Sequence, residues 1–176
     1  MKIERERLRL YAVTDRHWLK AGETLSKPVE ELLKAGVTCV QLREKEAEEE
    51  LFLQEAEELQ QLCSRYGVPL IINDRPDIAK AVQAAGVHVG LSDMTAERAR
   101  EVLGEDFIIG ASAHNVQEAR AAEAAGADYI GCGAVFGSST KKDVAILSKE
   151  ELKKICRAVR IPVTAIGGIT PENAVQ

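Results

Sequence analysis

A recurring punctuation constrains this chain more than any other feature. Lys34-Ala35-Gly36-Val37, Ala84-Ala85-Gly86-Val87 and Ala124-Ala125-Gly126-Ala127 each close a helical stretch and lead straight into a short β-branched run. Glycine readily enters the left-handed conformation that ends a helix, so each copy reads as the same tight helix-to-strand turn. Gly67-Val68-Pro69 and Arg160-Ile161-Pro162 stand at equivalent places before two further runs. A chain punctuated this way is a succession of β-α units, which lays its strands parallel and covers the sheet with helices.

Seven strands are expected, centred on Leu10 to Thr14, Thr38 to Leu42, Leu70 to Asn73, Val87 to Val89, Ile108 to Ser112, Tyr129 to Gly133 and Val163 to Ile166, with six helices between them. The clearest helix is Glu46 to Tyr66, where Leu51, Phe52, Glu55, Leu59 and Leu62 alternate between a buried stripe and an acidic outer face. An open doubly wound sheet would call for G-x-G-x-x-G after the first strand, but Val13-Thr14-Asp15-Arg16 stands there instead. The expectation is therefore α/β, a single domain over residues 1–176 of (β/α)8 TIM-barrel type that lacks its last β/α unit. Thr170 to Gln176 reads as the start of a seventh helix, with Pro171 in its first turn.

Composition narrows the function classes. Lys plus Arg number 23 against 28 for Asp plus Glu, a net charge of −5, which speaks against a nucleic-acid binder that relies on bulk positive charge. No run approaches the roughly 18 apolar residues of a membrane span, so no membrane partner is expected. Cys39, Cys63, Cys132 and Cys156 are widely spaced and form no C-x-x-C pair. Buried, reduced thiols in a cytoplasmic protein are the expectation.

In a barrel, function sits at the carboxyl ends of the strands. Gln41, Arg43 and Lys45 alternate at the end of the second strand, and a guanidinium beside an ammonium suits a phosphate or diphosphate. The plainer alternative pairs these cations with Glu44 and Glu46 on the surface. Asp74 and Asp93 each follow a strand, and Mg²⁺ takes one or two protein carboxylates together with water and phosphate oxygens. Their plainer roles would be a partner for Arg75 and a helix N-cap. Phe136 to Asp143 offers hydroxyls, backbone amides and two lysines suited to another phosphate, although it is no P-loop. Gly167-Gly168 lets the backbone approach an anion, or simply turns. His114 has the chemistry of an acid/base, with a structural hydrogen bond as the safer reading, while His17 and His88 have no suggestive company.

Taken in order, Leu10-Tyr11-x-Val13-Thr14-Asp15, Gln41-Leu42-Arg43-Glu44-Lys45, Ile72-Asn73-Asp74-Arg75, Val87-His88-Val89-Gly90, Asp128-Tyr129-Ile130-Gly131, Thr140-Lys141-Lys142-Asp143 and Ala165-Ile166-Gly167-Gly168-Ile169 closely resemble the thiamine phosphate synthase family. The resemblance implies a transferase that joins 4-amino-2-methyl-5-hydroxymethylpyrimidine diphosphate to 4-methyl-5-hydroxyethylthiazole phosphate and releases diphosphate and thiamine phosphate. It further implies that Gln41, Arg43, Lys45, Asn73, Ser112 and Lys141 hold the pyrimidine diphosphate, with Arg43, Lys45, Ser112 and Lys141 as the catalytic group. Asp74 and Asp93 would bind Mg²⁺, while Ser138, Ser139, Thr140 and Gly168 would hold the thiazole phosphate. The implied partners are phosphorylated small molecules, and a homo-oligomer is compatible with them.

Two alternatives stand beside it. One is the related thiazole tautomerase, in which the histidine corresponding to His114 is the acid/base. The other is a non-catalytic phosphate-binding protein or fragment.

Overall fold

The computed structural model describes residues 3–20, 22–45, 47–91, 94–137 and 146–176. Among them, seven strands run β1 (Tyr11–Val13), β2 (Cys39–Leu42), β3 (Leu70–Asn73), β4 (Gly86–Val89), β5 (Ile108–Ala113), β6 (Tyr129–Gly133) and β7 (Val163–Ile166). The intervening helices are α1 (Ser26–Lys34), α2 (Glu49–Tyr66), α3 (Pro76–Ala81), α4 (Ala96–Leu103), α5 (Val116–Ala124) and α6 (Lys149–Ala158). The sheet is wholly parallel and its order is that of the sequence, β1 to β7. None of the described helices is long and apolar enough to cross a membrane.

Strand alternation divides the apolar side chains into two cores. Val40, Leu42, Leu70, Ile72, Val87, Val89, Ile109, Ile130 and Cys132 point outward and pack beneath the helices, where Val29, Phe52, Leu59, Ala99 and Ile155 meet them. The opposite parity supplies Cys39, Ile71, Ile108 and Tyr129, which form a smaller inner core with Ile3 and Leu8 of the amino-terminal segment. An inner core of this kind requires a curled sheet. Across a flat one, β1 and β6 would stand roughly 24 Å apart, yet the Tyr11 ring packs edge-on against Tyr129 with centroids 5.9 Å apart. The strands thus wrap part of a barrel and direct their carboxyl ends to one rim.

Four sequence expectations need correction. Helix α2 begins at Glu49 rather than Glu46, because Glu48 is extended (φ −58°, ψ 150°) and serves as the cap; Glu46 itself lies outside the described residues. Gly36 and Gly126 do take the left-handed conformation, but Gly86 does not. At that turn Gln83 (φ 54°) is left-handed, and Gly86 instead opens β4, where an added Cβ would lie 2.0 Å from the Ile108 carbonyl oxygen. The segment after Thr170 is a turn with one helical bond, Ala174 N–H to the Thr170 carbonyl, and not a formed helix. Finally, Cys39, Cys63 and Cys132 are buried free thiols, whereas Cys156 is exposed because it falls on the outer face of α6.

Candidate active site

The carboxyl end of β2 sets the character of the rim. Gln41 is buried, and its Nε2 donates to the Tyr11 hydroxyl at 2.7 Å. The Arg43 backbone N–H donates to Thr14 Oγ1, extending the β1–β2 register past both strands. Between Arg43 and Lys45, Glu44 turns away from them. Its Oε2 accepts from Arg16 Nε at 3.0 Å, and Arg16 Nη2 also meets both oxygens of Glu55 at 2.8 and 3.0 Å. The surface pairing of Arg43 with Glu44 is therefore not what forms. Among the described residues the Arg43 guanidinium has no carboxylate partner, and Lys45 only approaches Asp74 at 3.8 Å.

Burial raises the pKa of Glu55 despite the neighbouring arginine, and the charge of Glu44 adds to the rise. Glu44 Oε1 is buried without a hydrogen-bond partner among the described residues. This carboxylate is held in place more by Arg16 than by any satisfied network.

β3 delivers Asn73 and Asp74. Asp74 is left-handed (φ 60°), an uncommon state for a residue other than glycine that is tolerated best by Asn and Asp. The turn places its carboxylate between Asn73 Nδ2 (2.5 Å), the Gly90 N–H (3.3 Å) and Lys45. Arg75 does not pair with it; that guanidinium engages Asp77 at 2.6 Å and Glu49 at 3.5 Å. Asp74 is thus left as a strand-end carboxylate facing the cations, a donor type that Mg²⁺ accepts singly or in pairs. No cluster of three or more His, Cys, Asp or Glu that could hold a metal occurs among the described residues. Asp93, the expected second carboxylate, lies outside them, as do Ser138, Ser139, Thr140 and Lys141.

Gly168 follows β7 at φ 63°, with Gly167 at 98°. A Cβ on Gly168 would come within 2.7 Å of the Phe136 carbonyl oxygen, and one on Gly167 within 2.5 Å of the Ala134 Cβ. The pair is therefore required for contact with the stem of the loop after β6, whatever else it binds.

Ser112, near the end of β5, accepts or donates a 3.1 Å bond with His88 Nε2, and His88 Nδ1 lies 3.0 Å from the Tyr129 hydroxyl. His88 thus has close company, contrary to the sequence expectation. With Tyr11 and Tyr129 it was missed because its partners come from β5 and β6. The readable signal is Gly110 and Gly131, whose missing side chains make room for the Tyr129 and His88 rings. His114, by contrast, is turned to the start of α5, where its N–H and Nδ1 meet Glu118 Oε2 at 2.7 and 3.3 Å.

Depressions of about 380 and 580 Å³ open elsewhere, around Arg9 and Val163 and around Arg7 and Leu70, and include none of these rim residues. The rim itself gathers Gln41, Arg43, Lys45, Asn73, Asp74 and Ser112 at the ends of β2, β3 and β5. Fold and rim together define a TIM-barrel-type protein whose strand-end site suits phosphorylated small molecules.

The chain belongs to the thiamine monophosphate synthase family, whose sequence pattern matches residues 10–176. It is 54% identical over 166 residues to the thiamine-phosphate synthase of Clostridium acetobutylicum, covering 94% of this chain and 78% of the relative. It is 52% identical over 167 residues to that of Methanobrevibacter smithii, covering 95% and 79%. Among solved structures, a thiamine phosphate pyrophosphorylase from Pyrococcus furiosus superposes with a TM-score of 0.88 at 40% identity, over 97% of this chain and 80% of that one.

Proposed function

We propose that this chain transfers the pyrimidinylmethyl group of 4-amino-2-methyl-5-hydroxymethylpyrimidine diphosphate to the ring nitrogen of 4-methyl-5-hydroxyethylthiazole phosphate. The bond from the methylene carbon to the diphosphate oxygen breaks, a carbon–nitrogen bond forms, and diphosphate and thiamine phosphate result. The single observation that carries this reading is Arg43, a strand-end guanidinium with no carboxylate partner among the described residues and with Lys45 on the same alternation. Such a pair stabilises charge building on a leaving diphosphate, and the site then needs no nucleophile of its own. Gln41 and Asn73 supply neutral amide donors and acceptors beside it.

Asp74 is a carboxylate of the kind that Mg²⁺ takes singly or in pairs. Asp74, with Asp93 as a second carboxylate, would hold the ion, which when bound supplies further neutralisation of the diphosphate. Lys141 is proposed to help hold the pyrimidine diphosphate, and Ser138, Ser139, Thr140 and Gly168 the thiazole phosphate. The isomerase alternative rests on His114, whose engagement with Glu118 gives it a local role at the head of α5.

The test is a diphosphate-release assay coupled to thiamine phosphate formation, with and without Mg²⁺. Arg43→Ala should weaken turnover of the pyrimidine diphosphate by roughly 10- to 100-fold, the worth of a hydrogen bond to a charged group. Wild-type protein that turns over only a thiazole carboxylate tautomer, through His114, would overturn the proposal.

A further inference from the structure

A chain of hydrogen bonds crosses the inside of the curled sheet and touches the rim at both ends. Gln41 Nε2 donates to the Tyr11 hydroxyl at 2.7 Å, Tyr11 and Tyr129 share a 2.7 Å bond, Tyr129 meets His88 Nδ1 at 3.0 Å, and His88 Nε2 meets Ser112 Oγ at 3.1 Å. Four strands besides β5 therefore contribute one link each: β2, β1, β6 and β4. The space for it is built into the backbone. A Cβ on Gly110 would lie 2.1 Å from Tyr129 Cζ, and one on Gly131 would lie 2.9 Å from His88 Cε1.

The direction of the chain follows from counting protons. The Tyr11 oxygen accepts from Gln41, so its own hydrogen needs an acceptor. The Tyr129 oxygen provides one; the other polar neighbour is the Cys39 thiol, a weak acceptor. The Tyr129 hydrogen then goes to His88 Nδ1, which leaves the imidazole proton on Nε2, donated to Ser112 Oγ. Each tyrosine hydroxyl makes one donation, the His88 ring accepts at Nδ1 and donates from Nε2, and the Ser112 hydrogen is left to point into the site. Burial holds both tyrosines well above their ordinary pKa, Tyr11 with help from Tyr129 and Tyr129 with help from Cys39, so both remain donors at neutral pH.

We infer that Tyr11, Tyr129 and His88 are positioning residues that fix the Gln41 amide and turn the Ser112 hydroxyl into a donor aimed at the substrate. The inference rests on the proposed reading in one respect, that Gln41 and Ser112 face the substrate; the direction of the chain does not depend on it.

The test uses ¹⁵N-histidine labelling of the full chain. The sequence has three histidines, so His88 is assigned by the signal lost in His88→Gln. The expected spectrum has a pyrrole-type Nε2 and a pyridine-type Nδ1 for His88 in the substrate-free protein, and Tyr129→Phe should mix the two forms. In the synthase assay Tyr129→Phe should lose roughly tenfold in kcat, the worth of a lost hydrogen bond and its alignment, with a smaller change in KM. His88→Gln, which keeps one donor and one acceptor, should retain more activity than His88→Leu. A protonated Nδ1 in the wild type, or a Tyr129→Phe variant that keeps both the His88 form and kcat, overturns the inference. The expected spectrum from a wild type that releases no diphosphate would support the chain of bonds and defeat the proposed reaction instead.

Discussion

Arg16 Nε lies 3.0 Å from Glu44 Oε2, and this contact decides where the residues on either side of Glu44 point. With Glu44 drawn back to Arg16, its neighbours Arg43 and Lys45 are left to the rim. Glu44→Ala should release that constraint. It should also leave Arg16 with Glu55 alone, at about 2 kcal/mol of stability, or roughly 4–8 °C in Tm for a chain this long. Calorimetric titration with inorganic diphosphate should show affinity falling several-fold at a temperature where the variant is fully folded. Unchanged affinity beside a lowered Tm would leave Glu44 a purely structural residue.

The pH dependence of folding should carry the signature of Glu55. Burial raises its folded pKa above the unfolded glutamate value near 4.3, so in the window between the two the folded state holds the proton more tightly. Its contribution is therefore greatest below that window and declines as pH rises through it, levelling above the raised value. Glu55→Gln removes the decline. Urea midpoints collected from about pH 4 to 7 should show the variant gaining on the wild type as pH increases; a gain on acidification would have the wrong sign.

Asp74 separates binding from folding. Asparagine tolerates the left-handed backbone as aspartate does and keeps most of the side chain's hydrogen-bonding shape, so Asp74→Asn should melt within about 1 kcal/mol of the wild type. Diphosphate release measured against Mg²⁺ concentration should fall by roughly 100-fold at limiting metal and recover only partly at high metal, because the negative charge is gone and one ligand oxygen is replaced by an amide nitrogen. Normal Mg²⁺ dependence in this variant would remove Asp74 from the metal site.

Gly110 is where the inner core has no slack. Its absent Cβ is replaced by the Tyr129 ring, and backbone on both sides is fixed by the β4–β5 and β5–β6 pairings. Gly110→Ala should destabilise the fold by about 2–3 kcal/mol through overpacking, read as a fall of roughly 5–10 °C in Tm. The same change at Gly104, where none of the described residues lies within 4 Å of the added carbon but φ is 82°, should act through backbone strain alone and cost about 1 kcal/mol.

Most of the architecture was legible because it is written locally. β3, β6 and β7 coincide with the runs read from sequence, and the remaining strands shift by a residue or two, since alternation and β-branching depend on neighbours in the chain. Gly86 misled for the same reason: as a local signal it resembles Gly36 and Gly126, whereas its purpose is a close approach to Ile108 on the next strand. The site divides along similar lines. Gln41, Arg43, Asn73 and Asp74 stand at strand ends and could be placed by counting. His88, Tyr11 and Tyr129 draw their significance from contacts across the curl, which no window of sequence contains. Likewise, nothing in the sequence tells that Glu44 turns to Arg16 and Arg75 to Asp77, because that choice among nearby charges is made only once the loops are packed.

The strand order has a consequence in time. Because the sheet follows the sequence, each strand leaving the ribosome pairs with one already made, and every such step closes a short stretch of chain. The Tyr11–Tyr129 bond is the exception, joining residues 118 positions apart. Gln41 can find Tyr11 as soon as β2 is laid down, yet Tyr11 must wait for β6 before its own hydrogen has Tyr129 to receive it, and Ser112 waits with it. A nascent chain halted short of Tyr129 would own the cationic rim and much of the sheet while its serine still turned freely. The alignment of Ser112 thus arrives only with the sixth strand.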